Sequence, residues 1–224
     1  MAIAVLQTTA KQTGDSVTSK NFAFNGITAG STIIVPVSVY MTSIAVSEIE
    51  VSDGDGKYTK DADIQVVQPN GVLIFRLINA SAGNHSITVD FKGISTYVTC
   101  SGIEVGTELL LDSNSYNVGS STTPSSGAAR TTSVADEFIV GVMSIQAAQA
   151  SITVEVTAPT WTELYEELSF SHATGEANYK IVSSAAAYTA NWTAITSTAW
   201  TAAICTYTES GGATPGGGEF SSVF

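Results

Sequence analysis

Basic residues are scarce: Lys and Arg together number 8, against 20 Asp and Glu, for a formal net charge of -12. A field of that sign repels phosphate backbones, and no basic patch or interleaved aromatic-basic stretch offsets it, which excludes nucleic acid as a partner. Charge of either sign is thin at 12% of the chain. Polar surface must therefore come from Ser and Thr. Two cysteines, Cys100 and Cys205, cannot make a disulfide scaffold. Both fall in predicted strands, where they read as small buried apolar residues or, if their strands are neighbours, as a pair. The two histidines, His85 and His172, lie in no zinc or nucleophile-elbow motif. No apolar run reaches the length of a membrane span. Residues 1–6, MAIAVL, start apolar without a charged n-region and are too short for a signal h-region. They read as a first strand, with synthesis in a cytoplasm and any outside location reached by assembly into a particle.

Helical periodicity is nearly missing too, and what is present is strand. Residues 131–145, TTSVADEFIVGVMSI, close the longest polar segment and open a β-branched apolar run with no polar face. Such a run reads as a strand covered on both sides, at the centre of the core. In residues 31–40, Ile33, Val35, Val37 and Val39 share one face, and Pro36 predicts an edge position or a bulge. Residues 43–51 read as the next strand, ending at the dense turn signal DGDG of residues 53–56. HSITVDF (85–91) and SITVEV (151–156) alternate as half-buried strands, the second placing Ile152, Val154 and Val156 inside. TYVTCSGIEV, ANYKIVSS, YTANWTAI and AWTAAICTYTE supply further strands. Residues 160–168 fit a short helix or an acidic edge strand equally. Residues 112–134, rich in Ser, Thr, Gly and Asn, read as a long surface loop. The whole predicts an all-β, two-sheet antiparallel sandwich with at most one short helix, one domain over 1–208, and a Gly-rich tail over 209–224.

No motif in this chain carries catalysis, so the expectation is a protein that is not an enzyme and holds no cofactor. Asp53 and Asp55, with Asp61 and Asp63 nearby, are the weak calcium candidates, but the EF-hand spacing fails and Gly and Asp are the ordinary hairpin residues. Glu163, Glu166 and Glu167 are too close in sequence to flank a sugar from two sides and read as a solvated acidic face. Trp161, Trp192 and Trp200, with Tyr165, Tyr179 and Tyr188, bias the last third toward aromatics. On a surface such rings stack on glycans; in a core they fill volume. Phe220, Val223 and Phe224 follow the glycines 216–218, so the tail is a candidate for docking on a partner or a neighbouring copy.

AGSTIIVPVSVY, VSDGDGKYTK, TTSVADEFIVGVMSI and YKIVSSAAAYTANWTAITSTAWTAAICTYTE, in that order over most of residues 20–208, resemble a group of phage and bacterial β-sandwich proteins. The resemblance implies a jelly-roll-type domain of virion decoration, fibre or tail proteins. It brings no catalytic residues. The expected function is a structural virion protein, a capsid decoration or head-fibre component, with other virion proteins and copies of itself as partners. The alternative is a carbohydrate-binding or adhesin module with host-surface glycans as ligands.

Overall fold

Two strands that are apolar on both faces organise the molecule, and its layers follow from them. The computed structural model describes residues 3–41, 46–64, 69–168 and 174–210. The first half supplies β1 (Val5–Thr8), β2 (Gln12–Val17), β3 (Ser19–Ile27), β4 (Thr32–Tyr40), β5 (Glu50–Asp53) and β6 (Gly56–Lys57). It continues with β7 (Thr59–Ile64), β8 (Asn70–Leu77), β9 (Gly83–Asp90), β10 (Thr96–Cys100) and β11 (Ile103–Val105). The second half supplies β12 (Leu109–Ser121), β13 (Arg130–Thr131), β14 (Asp136–Ile145), β15 (Ile152–Val154) and β16 (Thr162–Glu167). β17 (Thr174–Ser183), β18 (Ala187–Tyr188), β19 (Trp192–Ala194) and β20 (Thr198–Glu209) close it. The described residues contain one 3-10 turn, Val46–Glu48, and no helix long and apolar enough to cross a membrane.

The fold is all-β and antiparallel throughout, a sandwich with more than two layers. β3-β9-β5-β6 form an outer sheet. Next comes the sheet built on β4, which pairs with β8 on one edge and with β10 and β11 on the other. Behind it lies β12-β20-β14-β17-β16, and the short pairs β15-β19 and β13-β18 cover that sheet's far side. Three cores fill the gaps. Ile33, Val35, Val37 and Val39 face the outer sheet, against Phe24, Ile87 and Val89. Ile34, Val72 and Ile74 face the other way, against Phe138, Val140, Val142 and Tyr207. Ile139, Met143, Ile145 and Ile204 face the third core with all three tryptophans. Period-two alternation thus works twice, because a strand between two cores is apolar at both parities. The two middle layers are also stitched by hydrogen bonds: Ser38 Oγ donates to the Met143 carbonyl at 2.7 Å and lies 2.9 Å from the Tyr165 hydroxyl.

Several sequence expectations need correction. Pro36 is not on an edge strand. β4 is central, and the break falls in its neighbour: the ladder to residues 96–105 is interrupted between Cys100, opposite Val37, and Ile103, opposite Ile34. By register Pro36 falls opposite that break, where its missing N–H is tolerated. On the other edge Gly102 continues the β1-β11 ladder: the Thr9 amide donates to the Gly102 carbonyl at 2.9 Å, and Thr9 Oγ1 accepts the Gly102 amide at 2.8 Å.

The polar segment 112–134 is not one long loop. Residues 109–121 form the longest strand among the described residues, paired with β20 along its whole length. β20 supplies the apolar residues, so an edge strand of Ser, Asn and Gly suffices beside it. Gly119 is specific: a Cβ there would lie 2.5 Å from the Trp200 ring. Residues 46–48 form the 3-10 turn rather than strand, and residues 42–45 lie outside the described residues. The 160–168 ambiguity resolves to the edge strand β16. β15 ends at Val154, leaving Val156 82% exposed rather than inside.

Candidate functional site

The outward face of β17 carries a row of polar side chains where a covered sheet normally carries aliphatics. Ala177 points to the middle core, so Glu176, Asn178 and Lys180 point outward beneath the segments holding β15, β18 and β19. All three are buried. Asn178 joins two neighbours: its Nδ2 donates to Glu176 Oε1 at 2.9 Å, and its Oδ1 accepts the Trp192 indole N–H at 3.0 Å. The other Glu176 oxygen has no partner. Burial, with the charges of Glu166 and Glu163, raises its pKa to about 7 against the bond from Asn178.

Lys180 is 3% exposed. Its Nζ sits 4.3 Å from the centre of the Trp161 ring and 5.0 Å from that of Tyr188. Two aromatic faces hold the ammonium where a carboxylate is usual. Burial lowers its pKa, and the charge of Glu155 opposes that. Glu155 is anchored in turn: Oε1 accepts the Trp161 indole N–H at 3.3 Å and Oε2 accepts Asn191 Nδ2 at 2.7 Å. The Glu155 amide donates to the Asn191 carbonyl at 3.0 Å, which extends the β15-β19 ladder by one bond. Two clefts open here. One, of about 310 Å³, is lined by Glu155, Lys180, Tyr188 and Asn191 among others. The second, of about 250 Å³, shares Glu155 and Asn191 and adds Val156 and Trp192.

The predicted stacking tryptophans are placed here but not as platforms. Trp161, Trp192 and Trp200 are all under 9% exposed. Their rings fill the third core and each indole N–H meets an internal acceptor, Trp200 donating to Ser121 Oγ at 3.1 Å. Tyr165 is buried in the middle core, and Tyr179 stacks on Phe138 there. The acidic face of β16 is not uniformly solvated. Glu167 is buried and paired with Lys11 Nζ at 3.0 Å, while Glu166 Oε1 accepts the Ile152 amide.

At the other end of the molecule, the calcium candidates form a clamp made of protein donors. Asp53 Oδ1 accepts the Asp55 amide at 2.8 Å, and Oδ2 accepts the Tyr58 hydroxyl at 2.7 Å. Asp55 accepts the Ser81 amide and hydroxyl at 2.7 and 2.8 Å. His85 bridges Asp53 Oδ2 through Nδ1 at 2.9 Å and the Ser81 carbonyl through Nε2 at 3.0 Å. Both partners are acceptors, so the ring is held with both nitrogens protonated. Burial alone lowers its pKa, but the bonds to Asp53 and Ser81 and the charges of Asp53 and Asp55 outweigh it, and the net shift is upward. Asp61 is bound by Arg76 at 2.9 Å. Among the described residues, no group of three His, Cys, Asp or Glu is set to hold a metal ion. Cys100 and Cys205 are free, in different cores on opposite faces of the β4 sheet. His172 and the tail residues Phe220, Val223 and Phe224 lie outside the described residues.

Sequence reasoning passed over Lys180, Glu155 and Asn191. A signal existed for the first: Lys180 is the only lysine after Lys92, and it sits inside a predicted strand. Compared with protein-family models, curated proteins and solved structures, the chain matches none.

Proposed function

We propose that the chain is a structural protein of a bacteriophage particle, a capsid decoration or head-fibre component that packs on the particle surface. Its partners are other virion proteins and copies of itself. The observation that supports this best is how the reactive side chains are used. His85 has both ring nitrogens tied to acceptors, both cysteines are fully buried in apolar surroundings, and Glu104 is buried with both oxygens accepting, from Gln7 and from the Thr28 amide. Chemistry-bearing groups stiffen a layered sandwich instead of converging on a substrate. The low charge and Ser/Thr-rich exterior suit close packing of many copies.

Purified phage particles analysed by mass spectrometry test the reading. The chain is expected in particles at a fixed stoichiometry; finding it free in the medium and absent from particles rejects it. The tail is proposed as a docking element. Deleting residues 211–224 is expected to leave the circular dichroism of the sandwich unchanged and to reduce incorporation; unchanged incorporation removes the tail from the proposal.

A further inference from the structure

Lys180 presents three ammonium donors and, among the described residues, none of them meets a hydrogen-bond acceptor or a carboxylate within ion-pair distance. Its contacts are the faces of Trp161 and Tyr188. The side chain is nearly covered, but the ammonium opens onto a cleft, so its acceptors are whatever fills that cleft. Across the same cleft stands Glu155, a pure acceptor already fixed by Trp161 and Asn191 and with lone pairs to spare.

We propose that this groove, with Lys180 on one wall and Glu155 and Asn191 at its centre, binds a neutral oligosaccharide. The site demands a ligand that accepts from an ammonium and donates to a carboxylate over a short distance. A sugar hydroxyl does both. The two protein charges cancel locally, and the overall charge of -12 disfavours an anion. A cleft of about 310 Å³ is at the lower end of small-ligand pockets, and the adjoining cleft of about 250 Å³ continues it past the Glu155–Asn191 bond. Two linked clefts sharing one polar ridge fit consecutive units of a chain rather than a single compact molecule. Tyr188, half-buried at the rim, adds an aromatic edge. The proposal stands whether or not the chain rides on a particle, and it does not use the buried tryptophan rings as platforms.

The test is a glycan array carrying neutral oligosaccharides of glucose, galactose, mannose and N-acetylglucosamine beside sialylated and uronic-acid glycans, probed with the full chain. Binding to at least one neutral glycan is expected, with backbone amide shifts confined to residues 153–158, 180 and 187–193. Glu155→Gln is expected to weaken it by about tenfold or more, the loss of one charge-assisted hydrogen bond. Ala187→Trp is the second variant: Ala187 is exposed and lines the first cleft, so the added ring fills the groove without entering a core. It is expected to abolish binding at an unchanged melting temperature. No neutral glycan bound, acidic glycans alone bound, or binding undiminished in both variants overturns the proposal.

Discussion

Gly141 sits in the middle of β14, and replacing it with alanine tests whether the cover over the third core is rigid. A Cβ at 141 would lie 2.8 Å from the Ala190 Cβ and 3.3 Å from two atoms of the Trp192 ring. The first distance falls several tenths of an ångström short of ordinary contact, so a neighbour must move. Neither is free to do so. Ala190 is held at both polar ends: its amide donates to Ser126 Oγ and its carbonyl accepts the Ser126 amide, each at 2.9 Å. Trp192 is held through its indole N–H by Asn178. Overpacking of this kind costs about 1–3 kcal/mol. Removing a strand glycine returns about 0.5–1 kcal/mol of that through backbone entropy. The net expectation for Gly141→Ala is a loss of about 1–2 kcal/mol, or roughly 2–8 °C in Tm for a chain of this size. Urea titration followed by tryptophan fluorescence measures it. Ala190→Gly removes the colliding methyl, so the double variant should be less damaged than the two single losses added, by about 0.5 kcal/mol or more. A Gly141→Ala protein as stable as the parent, or a double variant that is merely additive, refutes the rigid cover.

Three other outcomes are expected. Glu176 has a folded pKa of about 7, above its unfolded value, so the native state holds an extra proton between those values and stability falls as pH rises through that window. Glu176→Gln should therefore match the parent below about pH 4 and exceed it by on the order of 2 kcal/mol at pH 8; equal stability at pH 8 contradicts a buried carboxylate with one oxygen unpartnered. His85 is shifted upward, so its contribution is complete below about pH 6.5 and is lost as pH rises through its folded value. The urea midpoint of His85→Asn should lack that alkaline decline, and parallel pH curves for the two proteins would falsify the charged clamp. Burial pushes the Cys100 thiol up to about 12 and raises Cys205 as well. Neither should react with a thiol reagent at pH 8 until the chain is unfolded; rapid labelling of either contradicts its burial.

The strands around the two central runs were legible because apolar parity is a local signal. HSITVDF and the run ending at Ile145 announce their faces in a few residues, and both lie where that reading puts them. β12 was not legible, since its strand character comes from β20, far along the chain, where Leu109 pairs with Glu209 and Ser121 with Thr198, and from the Gly119–Trp200 contact. Pro36 misled for a related reason. Proline bars pairing to its own nitrogen, but sequence cannot show that the neighbouring strand's ladder breaks opposite it inside a sheet. Val156 misled through alternation alone: parity continued past Val154, but the strand pairing did not.

The candidate site shows the same limit in another form. Aromatic counting pointed to the correct third of the chain and to the wrong groups. Trp161, Trp192 and Trp200 are each one hydrogen bond and one ring face committed to the core, leaving little for a ligand. What they do instead is hold the polar residues in place: Trp161 lies under the Lys180 ammonium and donates to Glu155, and Trp192 donates to Asn178. A cation held against a Trp and a Tyr ring cannot be inferred from three residues spaced at 161, 180 and 188, because the contact joins the residue before β16 to β17 and β18. The physical warning was a polar row, Glu176, Asn178 and Lys180, at alternating positions of a strand flanked by apolar sequence. In a strand covered on both faces such a row is either a fully paired network or a recognition surface. Asn178 satisfies the first description, with bonds to Glu176 and Trp192. Lys180 does not, and that difference between neighbours on one face separates the part of the row that holds the fold together from the part left open to a ligand.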